Sequence, residues 1–151
     1  MNREFEIVNG ILVDLFQRIL DIEEEALMAM DIDNLTMKEI HTIEAIGVSK
    51  DGRNMGDIAK TLKITVGTLT TAINRLVKKN FVERYRTDSD RRVVMVKLND
   101  RGREIYRKHN AFHTQMTAAV VRKFGDNELL MDSLADLKDF FSNYHPEENT
   151  F

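Results

Sequence analysis

The chain has 151 residues, no cysteine and a formal net charge of −3 at pH 7. A chain of this length can bury one hydrophobic core but is short for two, so residues 1–151 are expected to form a single domain. No apolar run approaches the ~20 residues of a membrane-spanning helix, and no basic, apolar leader begins the chain. The sequence therefore predicts a cytoplasmic protein with no membrane partner.

The charges are distributed unevenly along the chain. Residues 53–108 contain 15 Lys and Arg against 6 Asp and Glu, a net +9, whereas the remaining residues contain 7 against 19, a net −12. Because phosphates respond to charges within about a Debye length, ~10 Å at 0.1 M salt, the local excess matters more than the total. The pattern predicts a basic, nucleic-acid-binding lobe between two acidic ends.

The N-terminal stretch has the pattern of a long amphipathic helix that packs against other helices. Its apolar residues alternate spacings of three and four, at Phe5, Val8, Leu12, Leu15, Ile19 and Ile22. The acidic run at residues 21–25 is interpreted as the solvated end of this helix. Methionines follow at positions 28, 30 and 37, around a break at residues 31–34. Because methionine adapts to irregular apolar shapes, these side chains suit either a ligand pocket or the gaps of a core.

A second helix is predicted between Thr36 and Gly47. Thr36 is a good N-cap, isoleucines at positions 40, 43 and 46 share one face, and Gly47 makes a plausible stop. The segment SKDGRNMG that follows is predicted to be a loop.

Residues 55–79 have the outline of a helix-turn-helix. The stretch MGDIAKTLKI carries apolar residues at helical spacing, and Thr65 is a good N-cap for a further helix from Val66 to about Lys79. At 3.6 residues per turn, this helix has one apolar side, formed by Val66, Leu69, Ile73, Leu76 and Val77. Its other side is polar and carries Gly67, Thr68, Thr71, Asn74, Arg75 and Lys78.

The polar side suits a helix that enters a DNA major groove N-terminus first. Thr68, Thr71 and Asn74 are short enough to meet base edges, whereas Arg75 and Lys78 are long cations that can reach phosphates. Gly67 lets the backbone come close. A solvated face on an ordinary helix is the alternative interpretation, and the residues that follow favour the DNA-reading helix.

Two runs rich in β-branched and aromatic residues, FVERYR and RVVMVKL, flank turn formers at residues 87–90 and predict a β-hairpin. The hairpin tip is basic, with Arg91 and Arg92 beside Asp90. A carboxylate two residues before an arginine can hold the guanidinium in one rotamer, which suits the concentrated negative potential of a narrow minor groove. A helix-turn-helix followed directly by a hairpin is a winged helix.

The wing region resembles the MarR family of transcriptional regulators. In DSDRRVVMVKLNDRGREI, Asp90, Arg92 and Leu98 match the Asp-x-Arg and following Leu of that family, and Asn99 stands where Thr is usual. The resemblance extends over roughly residues 5–141. It is greatest to the branch that represses fatty-acid synthesis in low-GC Gram-positive bacteria, through the segments KEIHTIEAIG, ITVGTLTTAINRL and DRRVVMVKLNDRGREIYRKHNAFHTQM.

The C-terminal part is predicted to be two helices. Asn99 is expected to cap a long one with apolar residues through Val120, and Asp126 to cap a shorter one with leucines and Phe141. Apolar seams at both ends of the chain are best buried against a second copy, which predicts a homodimer on a pseudo-palindromic operator in double-stranded DNA. The MarR-like family dimerises in this way.

The expected fold is therefore mainly α with a small β-hairpin wing. Residues 36–99 are predicted to form the winged helix-turn-helix lobe, and residues 5–30 and 100–143 the dimerisation helices. The predicted DNA-binding residues are Thr65, Gly67, Thr68, Thr71, Asn74, Arg75, Lys78, Asp90, Arg91 and Arg92.

The sequence lacks the motifs of common catalytic sites. It has no cysteine nucleophile, no glycine-rich phosphate loop and no Gly-x-Ser-x-Gly elbow. We therefore expect a protein that is not an enzyme and carries no resident cofactor.

Three histidines form a possible metal site. His109 and His113 are four residues apart on one helix face, a spacing that lets two imidazoles share an ion, and His41 with Glu39 could join them from another helix. Some MarR-like regulators sense zinc with histidines in similar positions. Against zinc, cysteine is absent and Ile40 stands where a carboxylate would be expected, so structural histidines are the preferred interpretation. A zinc-responsive repressor is the alternative.

The resemblance to the fatty-acid branch also implies an effector. In that branch, long-chain acyl groups on acyl carrier protein act as corepressor and tighten operator binding. Such a ligand needs an apolar tunnel, whose candidate lining is Phe16, Met28, Met30, His41, Ile43, Phe112 and Met116. Each of these residues also suits a plain core, and another small apolar ligand is a further alternative.

Overall fold

Seven α-helices and three short strands make up most of the part of the chain that the structure describes, residues 2–30, 32, 34–88 and 90–145 of a computed structural model. The helices are α1 (Arg3–Asn9), α2 (Phe16–Ala29), α3 (Met37–Ile46), α4 (Met55–Leu62), α5 (Val66–Lys78), α6 (Asp100–Phe124) and α7 (Glu128–Asn143). The strands are β1 (Arg53–Asn54), β2 (Val82–Arg86) and β3 (Val94–Leu98). The chain divides into two compact units, residues 1–112 and 113–151.

The predicted N-terminal helix is present, with one irregularity. A π-helical turn, Gly10–Leu15, joins α1 to α2, so residues 3–29 are helical throughout. A π turn widens the helix locally and rotates the side chains beyond it relative to those before it. Within its unit the first four residues of the predicted seam are exposed, with Phe5 57% and Leu12 42% accessible, whereas Ile19 and Ile22 are half-buried. The helix therefore presents an apolar face that its own unit does not cover.

The core of the first unit lies under α3, α4 and α5. The isoleucines of α3 at positions 40, 43 and 46 are buried, as predicted, and so are Leu69, Ile73 and Leu76 on the apolar side of α5. Val66, which was assigned to the same side, is exposed. It is the first residue of α5, and this end of the helix extends beyond the edge of the core. Strand β3 and the start of α6 complete the core through Val96, Leu98 and Ile105.

Three of the predicted N-caps, Thr36, Thr65 and Asn99, are confirmed by their hydrogen bonds. Thr36 forms a capping box with Glu39, in which each side chain bonds the other's backbone N–H. Thr65 accepts from Thr68 N at 3.1 Å, and Asn99 Oδ1 accepts from Gly102 N at 3.0 Å. Gly47 ends α3 with φ +71°, a conformation that glycine adopts without strain.

The wing is a three-stranded antiparallel sheet in the order β1-β3-β2, whereas the sequence predicted a two-stranded hairpin. Arg53 pairs with Val96 and Asn54 with Met95, so the SKDGRNMG segment contains a strand and is not wholly a loop. A two-residue strand is too short to show alternation, which is why the pattern missed it. Gly52 precedes it at φ +62°, with the backbone of Val96 where a Cβ would lie.

Close packing of α6 against the start of β2 gives a stability prediction. A Cβ at Gly102 would overlap the carbonyl oxygen of Phe81 and lie 3.2 Å from Leu98 Cβ. We expect Gly102→Ala to lower the free energy of unfolding by about 1 to 3 kcal/mol, because the helix must move away from the strand. Urea unfolding followed by circular dichroism measures this loss.

Gly67→Ala is the matched control for this substitution. Gly67 also lies in the first turn of a helix, but a Cβ there would meet only Thr65 Oγ1, at 3.9 Å. The control should gain roughly 0.5 to 1 kcal/mol, the usual benefit of alanine over glycine in a helix. Equal stability of the two variants would contradict the predicted clash.

The second unit contains the end of α6 and all of α7. Asn127, not Asp126, caps α7, since its Oδ1 accepts from Leu130 N at 3.0 Å. Asp and Asn are both good N-cap residues, so the sequence alone could not decide which of these two adjacent residues caps the helix. Near the end of α7, Phe140 packs edge-on against Phe141, with ring centroids 5.1 Å apart. Large apolar side chains are exposed on this unit as well, at Val120, Val121, Phe124, Leu129, Leu134, Phe140 and Phe141.

No helix in the described part of the chain is both long and apolar enough to cross a membrane.

Candidate nucleic-acid interface

The N-terminal half of α5 presents a line of exposed polar groups. The Thr65 hydroxyl lies 2.9 Å from that of Thr68, and Thr71 Oγ1 donates to the carbonyl of Gly67 at 3.4 Å. These local bonds hold the hydroxyls against the helix start, where free backbone N–H groups and the helix dipole favour a negative group. The six predicted polar-side residues are all exposed: Gly67, Thr68, Thr71, Asn74, Arg75 and Lys78.

The first helix of the helix-turn-helix, α4, is tied to α3 by an arginine that the sequence did not single out. Arg53 donates to the carbonyl of Ala45 at 2.5 Å, to Thr61 Oγ1 at 2.9 Å and to the carbonyl of Asp57 at 3.3 Å. One guanidinium therefore ties the end of α3 to both turns of α4. Its neighbours in sequence give no signal of this role, because all three partners come from other segments.

At the wing tip, the predicted pairing of Asp90 with Arg92 is present. Asp90 Oδ1 accepts from the Arg92 backbone N–H at 3.0 Å and from its Nε at 3.3 Å. The Arg92 side chain is nevertheless 94% accessible, so the guanidinium is oriented and projects from the wing. Arg91 beside it is exposed, and its carbonyl accepts from Arg86 Nη1 at 2.5 Å.

A groove of about 490 Å³ separates the start of α5 from the wing. Val66 and Thr70 of α5 face Arg84 and Arg92 of the wing across it. The groove accounts for the exposure of Val66, and it adds Thr70 and Arg84 to the predicted interface. Sequence reasoning placed Arg84 in the basic hairpin but had no means of pairing it with α5.

Comparison with known proteins assigns this arrangement to a family. A family model described as "MarR family" matches residues 35–94. The chain is also similar to FabT of Streptococcus pneumoniae, solved in complex with DNA, with 32% identity and a TM-score of 0.83 over 92% of this chain and 98% of that one. The protein belongs to the MarR family. The fold predicted from the sequence, a winged helix-turn-helix within a mainly helical chain, is thereby confirmed.

More distant relatives agree with this assignment. The MepR–DNA complex of S. aureus has the same fold, with 23% identity, a TM-score of 0.66 and coverage of 86% of this chain and 96% of that one. The HTH-type transcriptional regulator PchR of Bacillus subtilis is 23% identical over 76% of this chain and 75% of that protein. As a MarR-family member, the protein is a transcriptional regulator and not an enzyme.

Outside the candidate nucleic-acid interface, the MarR-family chain buries a carboxylate between two histidines. Glu23 Oε1 accepts from His109 Nε2 at 2.6 Å and from His41 Nε2 at 3.3 Å. Glu23 is 4% and His109 2% exposed. Glu44 Oε2 lies 3.7 Å from the other ring nitrogen of His109. The group Glu23, His41, His109 and Glu44 is called the histidine cluster below.

The histidine cluster corrects two interpretations of the sequence. The run at residues 21–25 is not simply a solvated end, because Glu23 points into the interior. Glu39, which was considered with His41 as a further metal ligand, instead binds Lys79. The structure brings His41 and His109 together, and His113 follows one turn later on α6, at the start of the second unit. Glu23 was missed because its partners lie 18 and 86 residues away.

The histidine cluster makes the free energy of unfolding depend on pH in the acid range. Burial raises the pKa of the Glu23 carboxyl, but hydrogen bonds from His109 and His41 and their charges bring it below its ordinary value. A carboxyl with a lowered folded pKa stabilises the fold above its unfolded pKa, about 4.3. That contribution is lost as the pH falls through the folded value.

We therefore expect Glu23→Gln to reduce the loss of stability between about pH 4.5 and pH 3 relative to the parent protein. At pH 7 the variant should be less stable by about 1.5 to 3 kcal/mol, since charged hydrogen bonds are lost. Urea unfolding at each pH, with chelator present, measures both. Glu25→Gln is the control, because Glu25 is exposed and pairs only at the surface, with Arg18. An unchanged acid slope in Glu23→Gln would contradict the assignment.

An apolar cavity of about 440 Å³ lies where α2 meets α3, and it is called the α2–α3 cavity below. Its lining consists of Glu24, Leu27, Met28, Ile32, Leu35, Thr36, Met37, Lys38 and Ile40. Among the residues predicted to line a ligand pocket, Met28 alone contributes to this lining. Ile43 is buried in the core, His41 belongs to the histidine cluster and Phe16 is exposed. Met30 packs on the core, while Phe112 and Met116 are half-buried on α6.

Proposed function

We propose that this protein is a homodimeric repressor that binds a pseudo-palindromic operator of fatty-acid biosynthesis genes, with long-chain acyl-acyl carrier protein as corepressor. The observation that carries DNA binding is the exposed polar face of α5 beside an oriented, exposed Arg92. The concentration of positive charge in residues 53–108 supplies attraction to the phosphates.

The proposed contacts follow from side-chain length and position. Thr68, Thr71 and Asn74 read base edges in the major groove, while Arg75 and Lys78 bind phosphates. Thr65 and Gly67 hold the helix start close to the DNA. Arg92, positioned by Asp90, enters the minor groove with Arg91 beside it.

Dimerisation is supported by the exposed apolar faces. Single apolar residues on a surface need no explanation, but a continuous row from Phe5 to Leu20 on one helical segment does. A two-fold dimer would bury that row and set two α5 helices on half-sites ~34 Å apart, one turn of DNA. Residues 5–30 and 100–143 are the proposed dimerisation helices and residues 36–99 the DNA-binding lobe.

The proposed effector rests on resemblance and on the α2–α3 cavity. The chain resembles the fatty-acid branch of the family in sequence, and it is 32% identical to FabT. The cavity offers an apolar site within the first unit. Whatever the ligand, it can change operator affinity only by binding the DNA-competent conformation more tightly than the other.

Operator binding tests this proposal directly. A DNA fragment from upstream of a fatty-acid-synthesis gene cluster is titrated by fluorescence anisotropy at fixed salt with chelator, with and without hexadecanoyl-acyl carrier protein. We expect sequence-specific binding that the acylated carrier tightens about 5- to 150-fold, the usual range of allosteric coupling. Unacylated carrier is the control. Equal affinity for unrelated DNA would contradict the proposal that the protein is an operator-specific repressor. Unchanged operator affinity on addition of the acylated carrier would contradict the proposal that the acyl chain is the effector.

A zinc-responsive repressor is the second candidate, and the histidine cluster favours it. Two imidazoles and a carboxylate are ligands that zinc accepts. The structural alternative is that Glu23 accepts hydrogen bonds from the buried His109 and the half-buried His41 without any metal. Replacing the chelator with zinc distinguishes the two. If operator binding is lost with chelator, returns with zinc and does not return in Glu23→Gln, zinc is the effector.

A further inference from the structure

The ammonium group of Lys79 joins the end of α5 to the segment in front of α3. Lys79 Nζ donates to the carbonyl of Asn34 at 2.5 Å and to the two oxygens of Glu39 at 2.8 and 2.9 Å. An ammonium has three donors, and all three have acceptors here. The Lys79 side chain is 24% exposed and that of Glu39 6% exposed. The pair is therefore largely shielded from solvent.

Glu39 also completes the local structure of that segment. Its Oε2 accepts from the Thr36 backbone N–H at 2.8 Å, as part of the capping box. Burial raises the pKa of Glu39, but the bonds from Lys79 and Thr36 bring it below its ordinary value. Residues 34–39 are thus held as one turn. Lys79 binds both ends of that turn, the carbonyl of Asn34 and the carboxylate of Glu39.

The same turn forms one wall of the α2–α3 cavity. Leu35, Thr36, Met37 and Lys38 line the cavity, and they all lie between the two residues that Lys79 binds. A ligand that displaces this wall must therefore strain or reinforce the bonds to Lys79. Lys79 caps the C-terminus of α5, the proposed recognition helix.

The cavity lining fits an unbranched aliphatic chain. Its apolar members are all aliphatic or thioether side chains, with no aromatic ring to stack on a planar ligand: Leu27, Met28, Ile32, Leu35, Met37 and Ile40. Methionines adapt to a flexible chain more readily than branched residues do. Lys38 and Glu24 are the two charged members of the lining.

We propose that Lys79 is the positioning residue through which an aliphatic chain in the α2–α3 cavity controls the DNA affinity of α5. This inference rests on the proposed function, a repressor with an acyl corepressor. The bound chain stabilises the turn at residues 34–39. Because Lys79 is bonded to that turn, the C-terminal end of the recognition helix is then held in place as well. The coupling is reciprocal, so operator DNA also tightens binding of the chain.

The test removes the ion pair while it keeps the turn. Glu39→Gln with Lys79→Met deletes both charges, and glutamine can still complete the capping box. Replacing both partners avoids leaving a buried charge unpaired, as either single change to an apolar residue would. Lys78→Met is the matched control, because Lys78 is the adjacent cation and is exposed on the polar side of α5.

Operator affinity is measured by anisotropy for each protein, with and without hexadecanoyl-acyl carrier protein. In the double variant, we expect the acyl effect to fall from about 5-fold or more to less than about 2-fold. Lys78→Met should weaken binding to all DNA sequences while it keeps the full acyl effect. A full acyl effect in the double variant would overturn the role of Lys79.

A second measurement needs no ligand. Leu35→Trp fills the α2–α3 cavity with a side chain and is expected to tighten operator binding about 5-fold or more in the parent background, but less than about 2-fold in the double variant. Circular dichroism and sedimentation confirm that the fold and dimer persist. An unchanged affinity for Leu35→Trp, or an equal effect in both backgrounds, overturns the coupling. Absence of an acyl effect in the parent protein overturns the effector instead.

Discussion

Leu12→Asp is expected to convert the dimer to a monomer and to weaken operator binding by at least about 100-fold. Leu12 lies in the exposed apolar row of the α1–α2 segment, 42% accessible within its own unit. In a dimer this side chain would be buried against the partner, and a carboxylate there would lose its hydration with no partner charge. A monomer engages one half-site, so the gain of about 10²- to 10⁴-fold from two linked sites disappears.

Sedimentation equilibrium and anisotropy measure the two effects on the same samples. Gln17→Glu is the control, because Gln17 is a polar residue of the same helical segment whose side chain donates to Asp21 at 2.9 Å. It adds the same charge without entering the apolar row, and it should leave a dimer that binds the operator. A Leu12→Asp protein that remains dimeric would show that this row is not the interface.

Arg92→Ala should cost about 1 to 3 kcal/mol of operator binding, while the protein remains a folded dimer. The side chain is almost fully exposed and donates from Nε to Asp90 at 3.3 Å. Its removal therefore has little effect on stability. The loss should be largest on operators with a narrow A·T-rich minor groove, where the potential that attracts the guanidinium is concentrated. Anisotropy on matched A·T- and G·C-flanked operators measures the difference.

A cycle with Asp90→Ala tests whether orientation of the arginine matters. If Asp90 acts by holding Arg92, then Asp90→Ala weakens binding less than Arg92→Ala does, and the two changes together weaken it no more than Arg92→Ala alone. Additive losses would mean that Asp90 acts on its own, through the turn it forms with Thr87. Unchanged affinity in Arg92→Ala would refute the wing contact.

The sequence was sufficient for features set by residues that are close together along the chain. The caps Thr36 and Thr65, the buried face of α5 and the pairing of Asp90 with Arg92 all involve residues a few positions apart. Helical periodicity and capping chemistry operate over that range, so patterns in the chain report them. The family wing motif is local for the same reason.

Features formed by distant residues needed the tertiary structure. The strand at Arg53 has no pattern of its own, and the partners of Lys79 lie 40 and 45 residues away. Asp126 and Asn127 are equivalent caps until the backbone selects one. The predicted ligand-lining residues were chosen by residue type alone, and most of them lie outside the α2–α3 cavity.

By itself, the sequence determined a basic winged helix-turn-helix with apolar helical ends, because charge distribution and periodicity are properties of the chain. Only the tertiary structure decided that Glu23 joins His41 to His109, and that Lys79 joins α5 to a cavity wall. Those contacts depend on which buried charges find partners when helices pack. The sequence does not show which residue a given Glu or Lys will pair with. Most residues of these types are exposed to solvent, so residue type alone does not predict a buried ion pair.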